Sequence, residues 1–239
     1  MADIGALVAA AGRGRRLGAG GNKLFLLLEG KPILVYTLEA LASSPLIDAI
    51  VVAVGPGEEE ACRRLIAAYA LDKVTAVVVG GETRQESVAR ALRRLDRRYA
   101  WVAVHDGARP FVSSALVAAV VAAARAGGAA VPGVPLRDTV KSLKEEGLVR
   151  QTLAREGLVA VQTPQVFARW LLEEAHLRAA KEGFLGTDDA SLVERLGHPV
   201  RVVPGSYLNL KITTREDLAL ARGYLTLLAQ GNERERYQA

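Results

Sequence analysis

The sequence contains one cysteine, Cys62, so no disulfide bond can form within the chain. Aromatic residues make up only 5% of its 239 positions, and no Lys/Arg cluster is interleaved with Phe or Tyr as a base-stacking surface requires. It shows no basic-then-apolar leader and no apolar run near the roughly 18 residues of a membrane span. These absences disfavour secretion, membrane insertion and nucleic-acid binding, and they predict a reducing, cytoplasmic location.

The remaining composition is that of a folded globular protein, with 50% hydrophobic and 24% charged residues. The formal net charge of +5 suits nucleic acid, an anionic surface or small phosphorylated substrates. Arg93, Arg94, Arg97 and Arg98 follow an apolar stripe at helical spacing, which indicates a solvated helix face. The positive charge therefore gives no support to nucleic-acid binding.

Short apolar runs alternate with amphipathic stretches of helical length. The predicted strands are 4–9, 49–54, 73–79, 101–105, 129–134 and 200–203, and the predicted helices are 32–42, 58–70, 87–99, 113–125, 167–181, 188–196 and 214–228. Parallel strands need long crossovers, and helices supply them. The pattern predicts an α/β protein of one domain over 1–239, with a Rossmann-like, mostly parallel sheet and helices on both faces.

Residues 136–157 interrupt this alternation. Two segments, 139–143 and 149–153, alternate apolar and polar residues around a polar turn at 144–147, which predicts a protruding β-hairpin arm. A two-stranded hairpin is marginally stable in water, so the arm must pack on something. A second copy of the chain is the simplest partner, and the arm therefore predicts a homodimer.

The first candidate site is a loop rich in glycine and arginine after the first predicted strand. It runs from Ala10, Ala11, Gly12 and Gly14 through Arg16 to Lys23. Small residues let backbone N–H groups approach a phosphate closely, and the cations add charge.

Two familiar phosphate-binding motifs do not fit this loop. Its glycine spacing is one residue too long for GxGxxG, and Leu24 follows Lys23 where a Walker A loop needs Ser or Thr. The second strand ends in Gly55-Pro56-Gly57, with no acid to hold a ribose. A phosphate-binding loop of another kind is expected, and hydride transfer is disfavoured.

The second candidate site lies at the end of the predicted strand 101–105. In open parallel sheets ligands bind at the carboxyl ends of the strands, so Asp106 and Arg109 should face the same crevice as the glycine loop. Asp106 is expected to hold Mg²⁺ against phosphate oxygens, with Arg109 gripping a second anion. The alternative is a local Asp106–Arg109 ion pair that closes the turn; His105 is interpreted as structural.

A third set of candidates comes from later segments. Lys211 lies in a short apolar segment, where a lysine generally needs an anion, and Arg155 and Thr163 accompany it. The turn at 80–87 offers backbone groups to a base or ribose, whereas 187–191 is interpreted as a helix cap with first-turn acids. Cys62 falls in the amphipathic stretch 58–70, and His176 and His198 have no evident partner, so nucleophilic catalysis is set aside.

Several of these blocks, taken in order, resemble one family of enzymes. They are the glycine loop ending at Lys23, Gly80-Gly81-Glu82-Thr83-Arg84-Gln85-Glu86-Ser87-Val88, Val104-His105-Asp106-Gly107-Ala108-Arg109-Pro110, Arg137-Asp138-Thr139, Thr163-Pro164-Gln165 and Asn209-Leu210-Lys211-Ile212-Thr213. Over nearly its whole length the chain resembles the 2-C-methyl-D-erythritol 4-phosphate cytidylyltransferases. The ribitol-5-phosphate cytidylyltransferases, and enzymes for other polyol or sugar phosphates, are the alternative.

The resemblance implies transfer of CMP from CTP to methylerythritol phosphate in non-mevalonate isoprenoid biosynthesis, by a Mg²⁺-dependent homodimer with embracing arms. The roles it implies are catalysis by Arg16, Lys23 and Lys211; CTP binding by Ala10, Ala11, Gly12, Gly14, Gly81, Glu82 and Ser87; methylerythritol phosphate binding by Asp106, Arg109, Thr139, Arg155 and Thr163; and metal binding by Asp106. Arg155 or Thr139 would reach across the dimer.

Two positions depart from the pattern of this family. Asn22 precedes Lys23 where the family commonly has proline, which bears on the placement of the lysine. Glu82 replaces a common aspartate and lengthens that side chain by one methylene, which bears on its contact with the nucleotide.

Overall fold

The computed structural model describes residues 3–12 and 22–229. The strands are β1 (Ile4–Ala10), β2 (Leu27–Leu28), β3 (Lys31–Pro32), β4 (Ala49–Val54), β5 (Val74–Val79), β6 (Trp101–Asp106), β7 (Ala129–Pro135), β8 (Val140–Leu143), β9 (Val149–Leu153), β10 (Val159–Val161), β11 (Gln165–Ala168) and β12 (Arg201–Pro204). The helices are α1 (Ile33–Ala42), α2 (Glu59–Ala68), α3 (Arg84–Arg94), α4 (Ser114–Gly127), α5 (Arg169–Glu182), α6 (Asp189–Arg195) and α7 (Arg215–Ala229).

One large sheet forms the centre of the described residues, in the order β10-β7-β11-β6-β1-β4-β5, with β12 beside β7. Strands β6, β1, β4 and β5 are parallel neighbours, and so are β7 and β12. The predicted Rossmann-like, mostly parallel arrangement is therefore confirmed, with β10 and β11 as antiparallel members.

Alternate residues of the central strands enter two separate cores. In β4, Ile50, Val52 and Val54 belong to one core, whereas Val51 and Ala53 belong to the other. Helices α1, α2, α4 and α7 contribute to the first core, and α3, α5 and α6 contribute to the second. Because both faces are covered, these strands are continuous apolar runs, which is why their bounds are predictable from sequence.

The structure corrects the prediction that a helix begins at Phe167. Phe167 lies instead in β11, which pairs antiparallel with β6 on one side and with β7 on the other, and the helix begins at Arg169. A short apolar run buried on both faces has no period that separates it from the first turn of a buried helix.

A second correction concerns α3, which begins three residues before the predicted start. The side chain of Thr83 accepts a hydrogen bond from the backbone N–H of Glu86 and caps the helix, so Arg84 becomes its first residue. The predicted cap of α4 is confirmed, since Ser113 accepts from the N–H of Leu116. The early start of α3 places Arg84 at the carboxyl edge of the sheet.

The predicted hairpin is present, with β8 and β9 pairing antiparallel. Its tip carries the exposed side chains of Leu143, Leu148 and Val149. At its root, the guanidinium of Arg137 lies 3.6 Å from the ring centroid of Tyr207, whose hydroxyl donates to the carbonyl of Pro135. Among the described residues, no helix has the length and apolar character that a membrane span requires.

Candidate active site

A crevice of about 820 Å³ opens at the carboxyl ends of β1, β4, β5 and β6. Eight predicted site residues line it: Ala11, Gly12, Lys23, Gly81, Glu82, Ser87, Asp106 and Lys211. Ala10 lies directly below as the last residue of β1 and is buried. The topology thus brings together segments that are about 200 positions apart in the sequence, as expected for an open parallel sheet.

The turn between β5 and α3 allows two segments to approach closely. A Cβ atom added at Gly80 would lie 2.5 Å from Cβ of Ala11 and 2.8 Å from Oγ of Ser87, so no larger residue fits there without displacement. Ser87 Oγ accepts a hydrogen bond from the N–H of Gly81 and donates to the carbonyl of Thr83. The backbone of this wall is therefore fixed against the end of β1.

Asn22 fixes the point where the chain enters the crevice again. Its side-chain amide donates to the carbonyl of Ala10 (2.6 Å) and to Glu58 Oε2 (2.8 Å), and its Oδ1 caps a short 3-10 turn at Lys23–Phe25. Lys23 Nζ donates to the carbonyl of Ile212 at 2.5 Å. The side-chain hydrogen bonds of Asn22 therefore restrain the backbone at a position where the family commonly has the rigid ring of proline.

Asp106 is the centre of a charge cluster at the end of β6. Its Oδ1 accepts from Arg84 Nε (3.1 Å), and its Oδ2 lies 2.8 Å from Lys211 Nζ. Burial by itself would raise the pKa of this carboxyl group, but the charges of Arg84 and Lys211 outweigh it and hold the pKa well below its usual value. Asp106 is therefore ionised at neutral pH, and the expected anion beside Lys211 is Asp106.

Arg109, Thr163 and His105 form a support beneath this cluster. Arg109 Nη1 donates to the carbonyl of Asn209 (2.7 Å). Its Nε lies 3.8 Å from Asp106 Oδ2, and this is the local ion pair that the sequence offers as the alternative to ligand binding. Thr163 Oγ1 accepts from the N–H of Asp106 (3.0 Å) and also contacts His105 Nδ1. All three side chains are buried, and none lines the crevice.

The structural role predicted for His105 agrees with its contacts. Nε2 lies 3.1 Å from the carbonyl of Arg109, which can only accept, so the ring carries its proton there and Nδ1 accepts from Thr163. Burial lowers the pKa of His105 to about 4. The neutral ring of His105 therefore closes the turn 105–109, which carries Asp106, and connects it to Thr163 in the loop before β11.

The remaining predicted residues lie elsewhere. Thr139 and Arg155 belong to the arm, where both are exposed, and Arg155 Nη1 donates to the carbonyl of Arg137. They are not among the residues that line the crevice of this chain. Gly14 and Arg16 fall outside the described residues.

Neither the role of Arg84 nor that of the buried pair behind it, Asp189 and His176, is predicted from the sequence. Arg84 lines the crevice, and its Nη1 donates to Asp189 Oδ2 at 2.6 Å. Asp189 Oδ1 in turn lies 3.0 Å from His176 Nε2, so the expectation that His176 has no partner is wrong. The predicted cap at 187–191 is present, with Asp188 as the capping residue of α6, but Asp189, interpreted only as a first-turn acid, is 1% exposed and makes these contacts. An acid at the first position of a helix gives no sign of such a partner in the sequence.

The predicted Mg²⁺ has one carboxylate available at this cluster. No group of three His, Cys, Asp or Glu residues within the described ranges is placed to hold a metal ion. Magnesium is commonly held by one or two carboxylates together with substrate phosphates and water. Asp106 is ionised, lines the crevice and keeps a second lone pair on each oxygen, so this donor set fits an ion bound largely by a nucleotide's phosphates.

A Rossmann-like sheet with a cationic, glycine-walled crevice at its carboxyl edge is typical of nucleotide-binding α/β proteins. The family model for 2-C-methyl-D-erythritol 4-phosphate cytidylyltransferase matches residues 4–227. The chain belongs to this family, and it is a nucleotidyltransferase.

Individual relatives agree with the family match. The chain is 47% identical over 219 residues to the 2-C-methyl-D-erythritol 4-phosphate cytidylyltransferase of Bacillus mycoides (strain KBAB4), covering 92% of this chain and 96% of the relative. It is 49% identical over 226 residues to the bifunctional enzyme IspD/IspF of Desulforudis audaxviator (strain MP104C), covering 94% of this chain but 57% of that longer protein. A crystal structure of 4-diphosphocytidyl-2C-methyl-D-erythritol synthase from Anaerococcus prevotii DSM 20548 superposes with a TM-score of 0.82 at 31% identity, covering 94% of this chain and 98% of that one.

Proposed function

We propose that this protein transfers CMP from CTP to 2-C-methyl-D-erythritol 4-phosphate and releases pyrophosphate. Membership of the family supports the substrates, and the observation that carries the chemistry is the pair of lysines on the crevice wall, Lys23 and Lys211. The product is 4-diphosphocytidyl-2-C-methyl-D-erythritol, an intermediate of non-mevalonate isoprenoid biosynthesis. We place the enzyme in the cytoplasm, a reducing compartment that suits a chain with a single cysteine.

The reaction needs no general base. A phosphate monoester is already an anion near neutral pH, so one of its oxygens attacks the α-phosphorus of CTP, and the bond from that phosphorus to the bridging oxygen breaks as pyrophosphate leaves in line. The obstacle is repulsion between two polyanions. Lys23 and Lys211 offset that repulsion and stabilise charge on the α-phosphoryl oxygens, together with Arg16 by the resemblance.

We assign nucleotide binding to Ala11, Gly12, Gly81, Glu82 and Ser87 on the crevice wall and to Ala10 below it, and by the resemblance also to Gly14. The close approach of Gly80 to Ala11 and the fixed turn around Ser87 support backbone contacts there. Mg²⁺ is assigned to Asp106, where it would supply further positive charge to the nucleotide's phosphates. Arg109 and Thr163 serve the acceptor site by holding Asp106 in place.

The acceptor site is completed, in this proposal, by Thr139 and Arg155 from the arm of a second copy of the chain. Support comes from the position of both residues, which lie on the arm and do not line the crevice of their own chain. The exposed apolar tip of the arm favours a partner, because a two-stranded hairpin gains little stability by itself.

The deciding experiment measures pyrophosphate release by the purified protein with Mg²⁺ and CTP. Methylerythritol phosphate, ribitol 5-phosphate and no acceptor are compared, and UTP then replaces CTP. Release that requires methylerythritol phosphate and collapses with UTP is the expected result. A preference for ribitol 5-phosphate would overturn the substrate assignment and retain the chemistry. If no pyrophosphate is released with either acceptor, the proposed activity is wrong.

A further inference from the structure

Asp189 is a buried carboxylate that the proposed reaction does not use. It is 1% exposed and is not among the residues that line the crevice. It does not cap α6 either, because the capping residue is Asp188, which accepts a hydrogen bond from the N–H of Ser191 at 2.9 Å. A buried carboxylate is costly unless charged or hydrogen-bonding partners surround it. Its position therefore requires an explanation in the groups that it contacts.

Two side chains contact Asp189, one at each of its oxygens. Arg84 Nη1 donates to its Oδ2 at 2.6 Å, and His176 Nε2 lies 3.0 Å from its Oδ1. Burial alone would raise the pKa of Asp189, but Arg84 and His176 lower it, so the group is an anion in the folded protein. His176 on α5 thus holds one oxygen, and the other is committed to Arg84.

Arg84 carries this constraint to the crevice. Its Nη1 binds Asp189, and its Nε binds Asp106 Oδ1 at 3.1 Å. The guanidinium is planar and its donors are fixed relative to one another, so anchoring one edge orients the other edge as well. Asp106 then presents Oδ2 to Lys211 Nζ at 2.8 Å.

We propose that Asp189 is a positioning residue for the transfer reaction, which holds Arg84 and thereby orients Asp106 and Lys211 in the crevice. The proposal rests on the proposed function, because its effect is read as turnover. Without the carboxylate at 189, Arg84 retains its bond to Asp106 but loses the anchor that fixes its plane. Asp106 and Lys211 then move as a pair relative to the bound phosphates.

The test compares Asp189→Asn with Glu194→Gln, a neutralisation on the same helix, α6. Glu194 is exposed and does not line the crevice, so Glu194→Gln should keep both the helix and the turnover of the parent enzyme. We expect Asp189→Asn to lower kcat for pyrophosphate release by about tenfold to a hundredfold, the scale of a small misplacement of reacting groups. KM for CTP should change much less, since the nucleotide wall is untouched.

An Arg84→Gln background separates positioning from general structural support. There, Asp189→Asn should cause no further loss of kcat, because the carboxylate has no arginine to act through. In the same background it should raise resistance to urea, because it removes a buried carboxylate that has lost its cation.

A kcat of Asp189→Asn within twofold of the parent, or an equal loss in both backgrounds, would overturn the proposal. If Asp189→Asn fails to fold in the parent background, the comparison of Arg84→Gln with Arg84→Gln/Asp189→Asn tests the proposal. A lower kcat of the double variant would contradict positioning through Arg84. A parent enzyme with no CTP turnover would instead contradict the proposed function. Urea unfolding then still tests the Arg84–Asp189 pair, because Asp189→Asn should lower urea resistance in the parent, where it breaks this pair, and raise it in the Arg84→Gln background.

Discussion

Lys211 Nζ lies 2.8 Å from Asp106 Oδ2, which joins the segment before the last helix to the end of β6 across the mouth of the crevice. The lysine is 41% exposed and the carboxylate 10% exposed. The ion pair thus places a cation, Lys211, and an anion, Asp106, on the wall of the same crevice. The pair provides a charge that can bind phosphate and an anion that keeps this charge in position when the crevice is empty.

Replacement of Lys211 by glutamine should lower turnover by about two to three orders of magnitude, the scale of one lost electrostatic stabiliser. KM for CTP should change less than kcat, because the charge matters most as the two polyanions react. The matched control is Lys31→Gln, which breaks an ion pair of the same length, 2.8 Å to Glu39, away from the crevice. Steady-state pyrophosphate release measures both variants, and equal activity of the two would remove Lys211 from the mechanism.

Lys23→Ala should also lower turnover by about two to three orders of magnitude. Lys23 lies on the crevice wall, and Asn22 fixes the backbone beside it through the carbonyl of Ala10. Lys73→Ala is the control, since Lys73 likewise donates to a backbone carbonyl, that of Ser44, and does not line the crevice. An unchanged rate of pyrophosphate release by Lys23→Ala would exclude this lysine from catalysis.

The central strands and the site blocks could be predicted from the sequence because their signals are local. β4 has its predicted bounds since a continuous apolar run ends at Gly55-Pro56-Gly57. Lys211 is predictable as a site residue because a lysine in an apolar segment needs an anion, and Asp106 is that anion.

The rest depends on topology and has no local signal. Arg84 and Asp189 are separated by 105 positions and meet only because α3 and α6 pack on the same face of the sheet. The strand β11 cannot be predicted, because a short apolar run buried on both faces shows no period that distinguishes it from the first turn of a buried helix. The pairing of His176 with Asp189 likewise depends on how α5 lies beside α6.

His105 should make the protein less stable as the pH falls from 7 to 5. Burial lowers its pKa in the folded state to about 4 from a reference of 6.5, so between these values the unfolded chain binds the extra proton and the free energy of unfolding rises with pH. The expected loss for this one group between pH 7 and pH 5 is about 2 kcal/mol.

Urea unfolding of the parent and of His105→Gln at both pH values measures this contribution. The variant should be less stable at pH 7, because Thr163 and the Arg109 carbonyl lose their imidazole partner, but it should show a smaller loss on going to pH 5. Asp106 and Asp189 do not confuse the comparison, since their lowered pKa values place their contributions below about pH 4. An identical pH dependence of the two proteins would show that His105 is not buried as a neutral ring.

The arm should hold two copies of the chain together through its apolar tip. Leu143 and Leu148 are 59% and 62% exposed, and a glutamate at each position would place two charges in any contact that buries them. We expect Leu143→Glu/Leu148→Glu to sediment as a monomer and to lose most of its turnover, because the arm residues Thr139 and Arg155 then no longer reach a neighbouring crevice. Leu177→Glu/Leu185→Glu is the control, since these leucines are 51% and 64% exposed but lie outside the arm. A dimer that survives the arm substitutions, or a monomer that keeps full turnover, would contradict completion of the site by the partner's arm.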